Sequence, residues 1–261
     1  MTRFRLAAGL ALAPALALAL AAAPAAACSP GPDYRVPTNL ELAGHADSIV
    51  VARVVGTHRD ETGQPTALVI RPLAAVKGPM PDGDIALLGI VLAPEGQAER
   101  TSDPHEFQRA HPQAYSGACI RRVFPLGATA LFFLRVDHEG MWAPAGTAFS
   151  RWAEDVPDEN APWVQLARLY AVAADLPAED RAPFLEDERE ALLARTGQDQ
   201  TGPLAQLMAE DIARQLAGPQ APPPPPPDPF EAAFRQPGEQ SAVDASLKAM
   251  REAAEAAEAG N

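Results

Sequence analysis

Apolar positions along the chain change their period once. Up to about residue 150 they come in short runs rich in β-branched residues, and beyond about residue 160 they recur at helical spacing. Residues 49–55 (Ile-Val-Val-Ala-Arg-Val-Val) predict a strand that Gly56 ends. Residues 67–76 predict a second, with Leu68, Ile70, Leu73 and Val76 as its apolar positions, and Pro72 inside it marks an edge or a bulge. Turn residues at 77–79 and 81–84 lead into a third strand over 85–92. Thr129–Val136 predicts a fourth, and 137–140 turn into 141–144. Ahead of all of these, residues 40–46 predict a short helix capped by Thr38 or Asn39, with Glu41 in its first turn. Residues 93–118 are a polar excursion without periodicity. Short strands separated by turns predict a small antiparallel β-barrel or sandwich rather than a parallel sheet.

In the second part Trp163, Leu166, Leu169, Tyr170 and Ala173 share a helical face, and Pro177 stops the run. Phe184, Leu185, Leu192 and Leu193 mark another helix. Thr201 caps a third, in which Leu204, Leu207, Met208 and Ile212 lie on one face and Gly218 ends it. These stripes read as core-packing faces, with partner-binding grooves as the other reading. Residues 222–227 are an unbroken hexaproline, suited to an extended spacer or a ligand for an aromatic groove. Residues 241–259 are mostly Ala and Glu, a composition expected to stay loosely attached or disordered. The fold class expected is α+β. A barrel domain spans 28–150, a helical extension packing on it spans 151–217, and a Pro-rich linker with an acidic Ala/Glu-rich tail spans 218–261.

The first residues change the picture of where this domain works. Arg3 and Arg5 precede an apolar Ala/Leu run over 6–23, and Ala25, Ala26 and Ala27 supply a small-residue cleavage site, so residues 1–27 read as an export signal. Its loss removes two positive charges and takes the net charge from −13 to −15. That sign argues against nucleic acid, whose binding needs a basic surface, and against adsorption to anionic lipid. The only cysteines are Cys28 and Cys119. In an oxidising compartment such a pair reads as one disulfide. Ala-Ala-Ala-Cys also resembles a bacterial lipobox, with Ala25 where an aliphatic residue is usual; acylation of Cys28 would consume its thiol, leave Cys119 alone and anchor the chain at a membrane.

Candidate chemistry is sparse. The histidines are His45, His58, His105, His111 and His138. His105-Glu106 invites a zinc reading, but His111 is not one helical turn away, and Pro104 and Pro112 bracket the segment as loop. A loop metal site from His105, Glu106 and His111 and a set of solvated loop residues are the two readings, the second being the expectation. No nucleophile elbow, phosphate loop or dinucleotide fingerprint is present. Glu154-Asp155 and Asp158-Glu159 read as a solvated linker. Neither a cofactor nor a catalytic residue is expected. Phe107 and Tyr115, large rings in a polar stretch, either anchor a partner or pack under the loop.

One ordered set of short motifs resembles netrin-like domains. Cys28-Ser29-Pro30 is followed by residues 42–54 (Leu-Ala-Gly-His-Ala-Asp-Ser-Ile-Val-Val-Ala-Arg-Val), then Val76-Lys77-Gly78, then Gly117-Ala118-Cys119 ahead of residues 126–133 (Leu-Gly-Ala-Thr-Ala-Leu-Phe-Phe). The resemblance covers about residues 28–145 and implies a five-stranded OB-type barrel with a C-terminal helix. In the tissue inhibitors of metalloproteinases within that family, the amine and carbonyl of an N-terminal cysteine chelate the target's zinc. Carried over, the role falls to Cys28, with Cys119 as its tether. Pro30 stands where the family's Cys-x-Cys has its second cysteine, and the remaining family cysteines are absent. The function expected is an exported, non-enzymatic binding module with Cys28, Ser29, Phe107 and Tyr115 as binding residues and a protein partner such as a metalloprotease. The alternative is a surface lipoprotein of structural role anchored through Cys28.

Overall fold

Two strands with unbroken apolar runs, residues 49–52 and 130–134, cross the middle of the sheet. The computed structural model describes residues 30–94, 101–198 and 201–222. The export segment, Cys28, Ser29 and the tail beyond Pro222 lie outside those residues. Strand β1 (Ser48–Arg59) and strand β6 (Thr129–Val136) pair antiparallel, Val51 opposite Leu131. Side chains alternate across a strand, so Ile49, Val51, Leu131 and Phe133 enter one core while Val50, Ala52, Phe132 and Leu134 enter another. A sheet covered on both faces needs apolar residues at successive positions, which is what these runs supply.

β2 (Pro65–Lys77) lies on the other side of β1 and carries β3 (Ile85–Leu88) at its outer edge, while β7 (Trp142–Pro144) and β8 (Ala153–Asp155) both pair with β6. All these pairs are antiparallel; a separate parallel pair joins β4 (Val91–Leu92) to β5 (Val123–Phe124). The α+β class with an antiparallel sheet is as expected, but the sheet is not a closed barrel. Its path runs β3-β2-β1-β6-β7, and β3 and β7 approach without pairing.

Local departures have local causes. β1 does not stop at Gly56 but passes it through a bulge between Val54 and Gly56. Pro72 faces Ala52 just after another register shift, beyond the last β3 pair at Ile70, where its missing N–H breaks no ladder. The expected strand over 85–92 divides at Gly89, whose φ of +69 turns the chain between β3 and β4.

Helix α1 (Asn39–His45) begins with a capping box: Thr38 accepts from the Glu41 amide and the Glu41 carboxylate accepts from the Thr38 amide. Helices α2 (Pro162–Asp175), α3 (Ala178–Leu193) and α4 (Gly202–Ala217) follow the sheet. The Thr201 hydroxyl makes no cap bond and turns to Gln198 instead. One core joins the sheet residues Ile49, Val51, Leu131 and Phe133 to Trp163, Leu166 and Tyr170 of α2, Leu185 of α3 and Ile212 of α4. Each such large apolar side chain contributes about 1.5–3 kcal/mol on full burial.

Candidate functional site

The excursion expected over residues 93–118 is described from residue 101, and from there to residue 122 the chain is held against β8 by buried charge. Glu154 and Asp155 sit in β8 rather than in a linker, and Glu154 is 2% exposed. The Ser102 hydroxyl donates to Glu154 Oε2, its amide donates to Asp155 Oδ2 at 2.9 Å, and its Oγ accepts from the Asp155 amide at 3.0 Å. One serine thus engages both acids. The His111 amide donates to Glu154 Oε1 at 2.9 Å, and Arg121 Nη2 donates to Asp155 Oδ1 at 2.9 Å. Arg151 lies 3.8 Å from Glu154 Oε1 and stacks over Trp163, its guanidinium carbon 4.1 Å from the ring centroid. Burial pushes the acidity of Glu154 down, raising its pKa above the ordinary glutamate value, while Arg151 and the Ser102 hydroxyl pull the other way.

This is the arrangement of a clamp. The Ser102 hydroxyl gives its proton to Glu154, and His111 Nδ1 accepts the Gln113 amide at 3.3 Å. His105 is not brought to His111: the first has a side chain 61% exposed, the second is 1% exposed within the network. Among the described residues no group of three or more His, Cys, Asp or Glu is placed to hold a metal ion.

Phe107 is 2% exposed and packs beside Trp163, with ring centroids 6.4 Å apart, so it lies under the excursion rather than on its surface. Tyr115 is partly buried and stacks on Phe149 at 5.2 Å. Around that pair the N-terminal segment arrives. Tyr34 donates to the Ala148 carbonyl at 2.7 Å, and Tyr34 and Val36 join Ala110, Ala114, Tyr115 and Phe149 in one small apolar cluster. Cys119 is disulfide-bonded, adopts φ +63, and its carbonyl accepts the Phe149 amide at 2.7 Å. The only other cysteine of the chain is Cys28, which with Ser29 lies outside the described residues.

A second polar cluster lies at α4. Asp211, 0% exposed, accepts from the Tyr170 hydroxyl, Asn39 (3.3 Å), Arg214 (3.1 Å) and Gln215 (3.2 Å). Burial raises its pKa, against the pull of Tyr170, Arg214, Arg151 and Asn39. Asn39 also donates to the Phe107 carbonyl at 3.1 Å, tying α1, α4 and the excursion together.

Two of the motifs that carry the netrin-like resemblance, residues 42–54 and 76–78, touch one another. Lys77 Nζ donates to the Ala43 and Ala46 carbonyls at 2.8 and 3.0 Å, closing the end of α1. A Cβ on Gly78 would stand 2.4 Å from the Asp47 carbonyl oxygen at φ +71, so only glycine fits there. The Asp47 carboxylate accepts the Val136 amide at 2.8 Å.

No family model matches the chain, and no curated protein or solved structure matches it significantly. Among the described residues no helix is long and apolar enough to cross a membrane.

Proposed function

We propose that the chain is an exported binding module without covalent chemistry of its own, contacting a protein partner through the segment that starts at Cys28 and the surface of the neighbouring excursion. The observation that carries this reading is their convergence: Tyr34 and Val36 meet Ala110, Ala114, Tyr115 and Phe149 beside the bridged Cys119. A rim fastened by a disulfide and a buried ionic clamp loses little conformational freedom on binding, which favours affinity.

The netrin-like reading of the fold belongs with this proposal. An antiparallel sheet whose edge strands β3 and β7 come close is compatible with an OB-type architecture. In its sharper form the mature chain begins at Cys28 and offers that residue's amine and carbonyl to the zinc of a metalloprotease. The test is inhibition of a panel of zinc metalloproteases by mature protein, beside a version carrying one extra alanine before Cys28. Inhibition by the first and not the second supports the zinc-directed form. No inhibition by either removes that form.

The surface-lipoprotein alternative needs the Cys28 thiol for acyl transfer. A bridged Cys119, in a chain with one other cysteine, weighs against it.

A further inference from the structure

Between the N-terminal segment, the excursion and the last turn of α4 lies an open cavity of about 60 Å³, lined among others by Thr38, Phe107, Gln108, Asp211, Arg214 and Gln220. That is room for a few waters or a small polar group. We propose that it binds a carboxylate group, taken up by Arg214 with help from Thr38 and the two glutamine amides.

The polar atoms that remain uncommitted decide what this cavity can hold. Asp211 lines the cavity yet is 0% exposed, and donors from Tyr170, Asn39, Arg214 and Gln215 already occupy its two oxygens. Its charge is therefore turned inward. Arg214 is different: its side chain is 31% exposed, and Nη2 alone of its guanidinium is hydrogen-bonded, to Asp211 at 3.1 Å. Its Nε is buried, so Nη1 and the second proton of Nη2 are the edge of the guanidinium left to a carboxylate. Thr38 Oγ accepts the Glu41 amide at 3.0 Å, which leaves its own proton to donate. Gln108 and Gln220 are exposed, with side-chain amides free to turn toward a ligand. The chain carries a net charge of −13, so diffuse attraction does not bring anions here and recognition must come from these local donors.

Two sources carry this chemistry, a free small acid and the carboxyl end of a peptide. The full mature protein is titrated with acetate, acetamide and N-acetylglycylglycine while the backbone amide signals of Thr38, Gly218 and Gln220 are followed by NMR. Acetate should shift them saturably and acetamide should not. Arg214→Gln should weaken acetate binding by about tenfold or more, and Arg214→Lys, which keeps charge without the fork, by less. Peptide acid binding about tenfold tighter than acetate assigns the site to a peptide end; equal binding assigns it to free acids. If Arg214→Gln impairs folding, the exposed pair Gln108→Ala and Gln220→Ala replaces it and should weaken binding in the same direction. Equal response to acetate and acetamide, or saturable shifts confined to other residues, or none, overturns the proposal.

Discussion

Arg121 donates to Asp155 across 2.9 Å with the arginine side chain 1% exposed, and this contact joins the end of the excursion to the last strand of the sheet. Two charges withdrawn from water attract strongly, but their desolvation opposes them, so the pair gives more specificity than net stability. Removing one partner is another matter, because it strands the other. Asp155→Ala should lower the unfolding free energy by about 3–5 kcal/mol in urea denaturation. The double variant Arg121→Met with Asp155→Leu should recover most of that. A single variant within about 0.5 kcal/mol of the parent would mean that the excursion is not held here.

Phe107 is the apolar counterpart of that contact. Its ring lies beside Trp163 and is 2% exposed. Phe107→Ala should destabilise by about 3–5 kcal/mol and raise hydrogen exchange across residues 101–122. Loss of partner binding with unchanged stability would instead place Phe107 at the interface.

Glu154 and Asp211 set the pH dependence. Both are acids whose pKa is raised, first by burial, so the folded state holds their protons more tightly than the unfolded state does. Their contribution to stability is present below the ordinary values of 4.5 and 3.8 and is lost as pH rises through the folded-state pKa values. The exposed Asp60, Asp84 and Asp137 shift downward and act in the opposite sense, so the comparison must be differential. Stability of Glu154→Gln should fall less steeply than the parent's as pH rises from about 4.5 toward neutrality. Parallel curves in urea titrations at several pH values would contradict the raised pKa.

The strands over Ile49 to Ala52 and Leu131 to Leu134 were legible because both faces of the sheet are buried, which writes an unbroken apolar run into the sequence. Helices α2, α3 and α4 were legible from helical spacing bounded by Pro177 and Gly218. The clamp was not. β8 is three residues long, too short for any period, and two adjacent acids read as solvated when their partners stand dozens of residues away. What hides Glu154 is mainly long-range: Ser102 and His111 reach it from another segment, and Arg151 alone of its polar neighbours is close in sequence. Trp152, 0% exposed beside Arg151, was the nearest local sign that this stretch enters the core.

The end of α4 sets what a C-terminal truncation should do. A chain cut after Gly218 loses Gln220, whose carbonyl accepts the Val36 amide at 2.9 Å. That cut should lower stability by about 0.5–1.5 kcal/mol, the contribution of one backbone hydrogen bond, and loosen the N-terminal segment. A cut after Pro222 keeps the bond, so the difference between the two truncated chains' melting curves isolates it.

A mature N-terminus at Cys28 that is bridged rather than acylated is the central claim. Intact mass spectrometry of the exported protein, before and after reduction, measures this in one experiment. The account predicts a chain lacking residues 1–27, lighter by two hydrogens than its reduced form, with no added lipid mass. A retained leader, an acyl increment on Cys28, or a mass unchanged by reduction would contradict it.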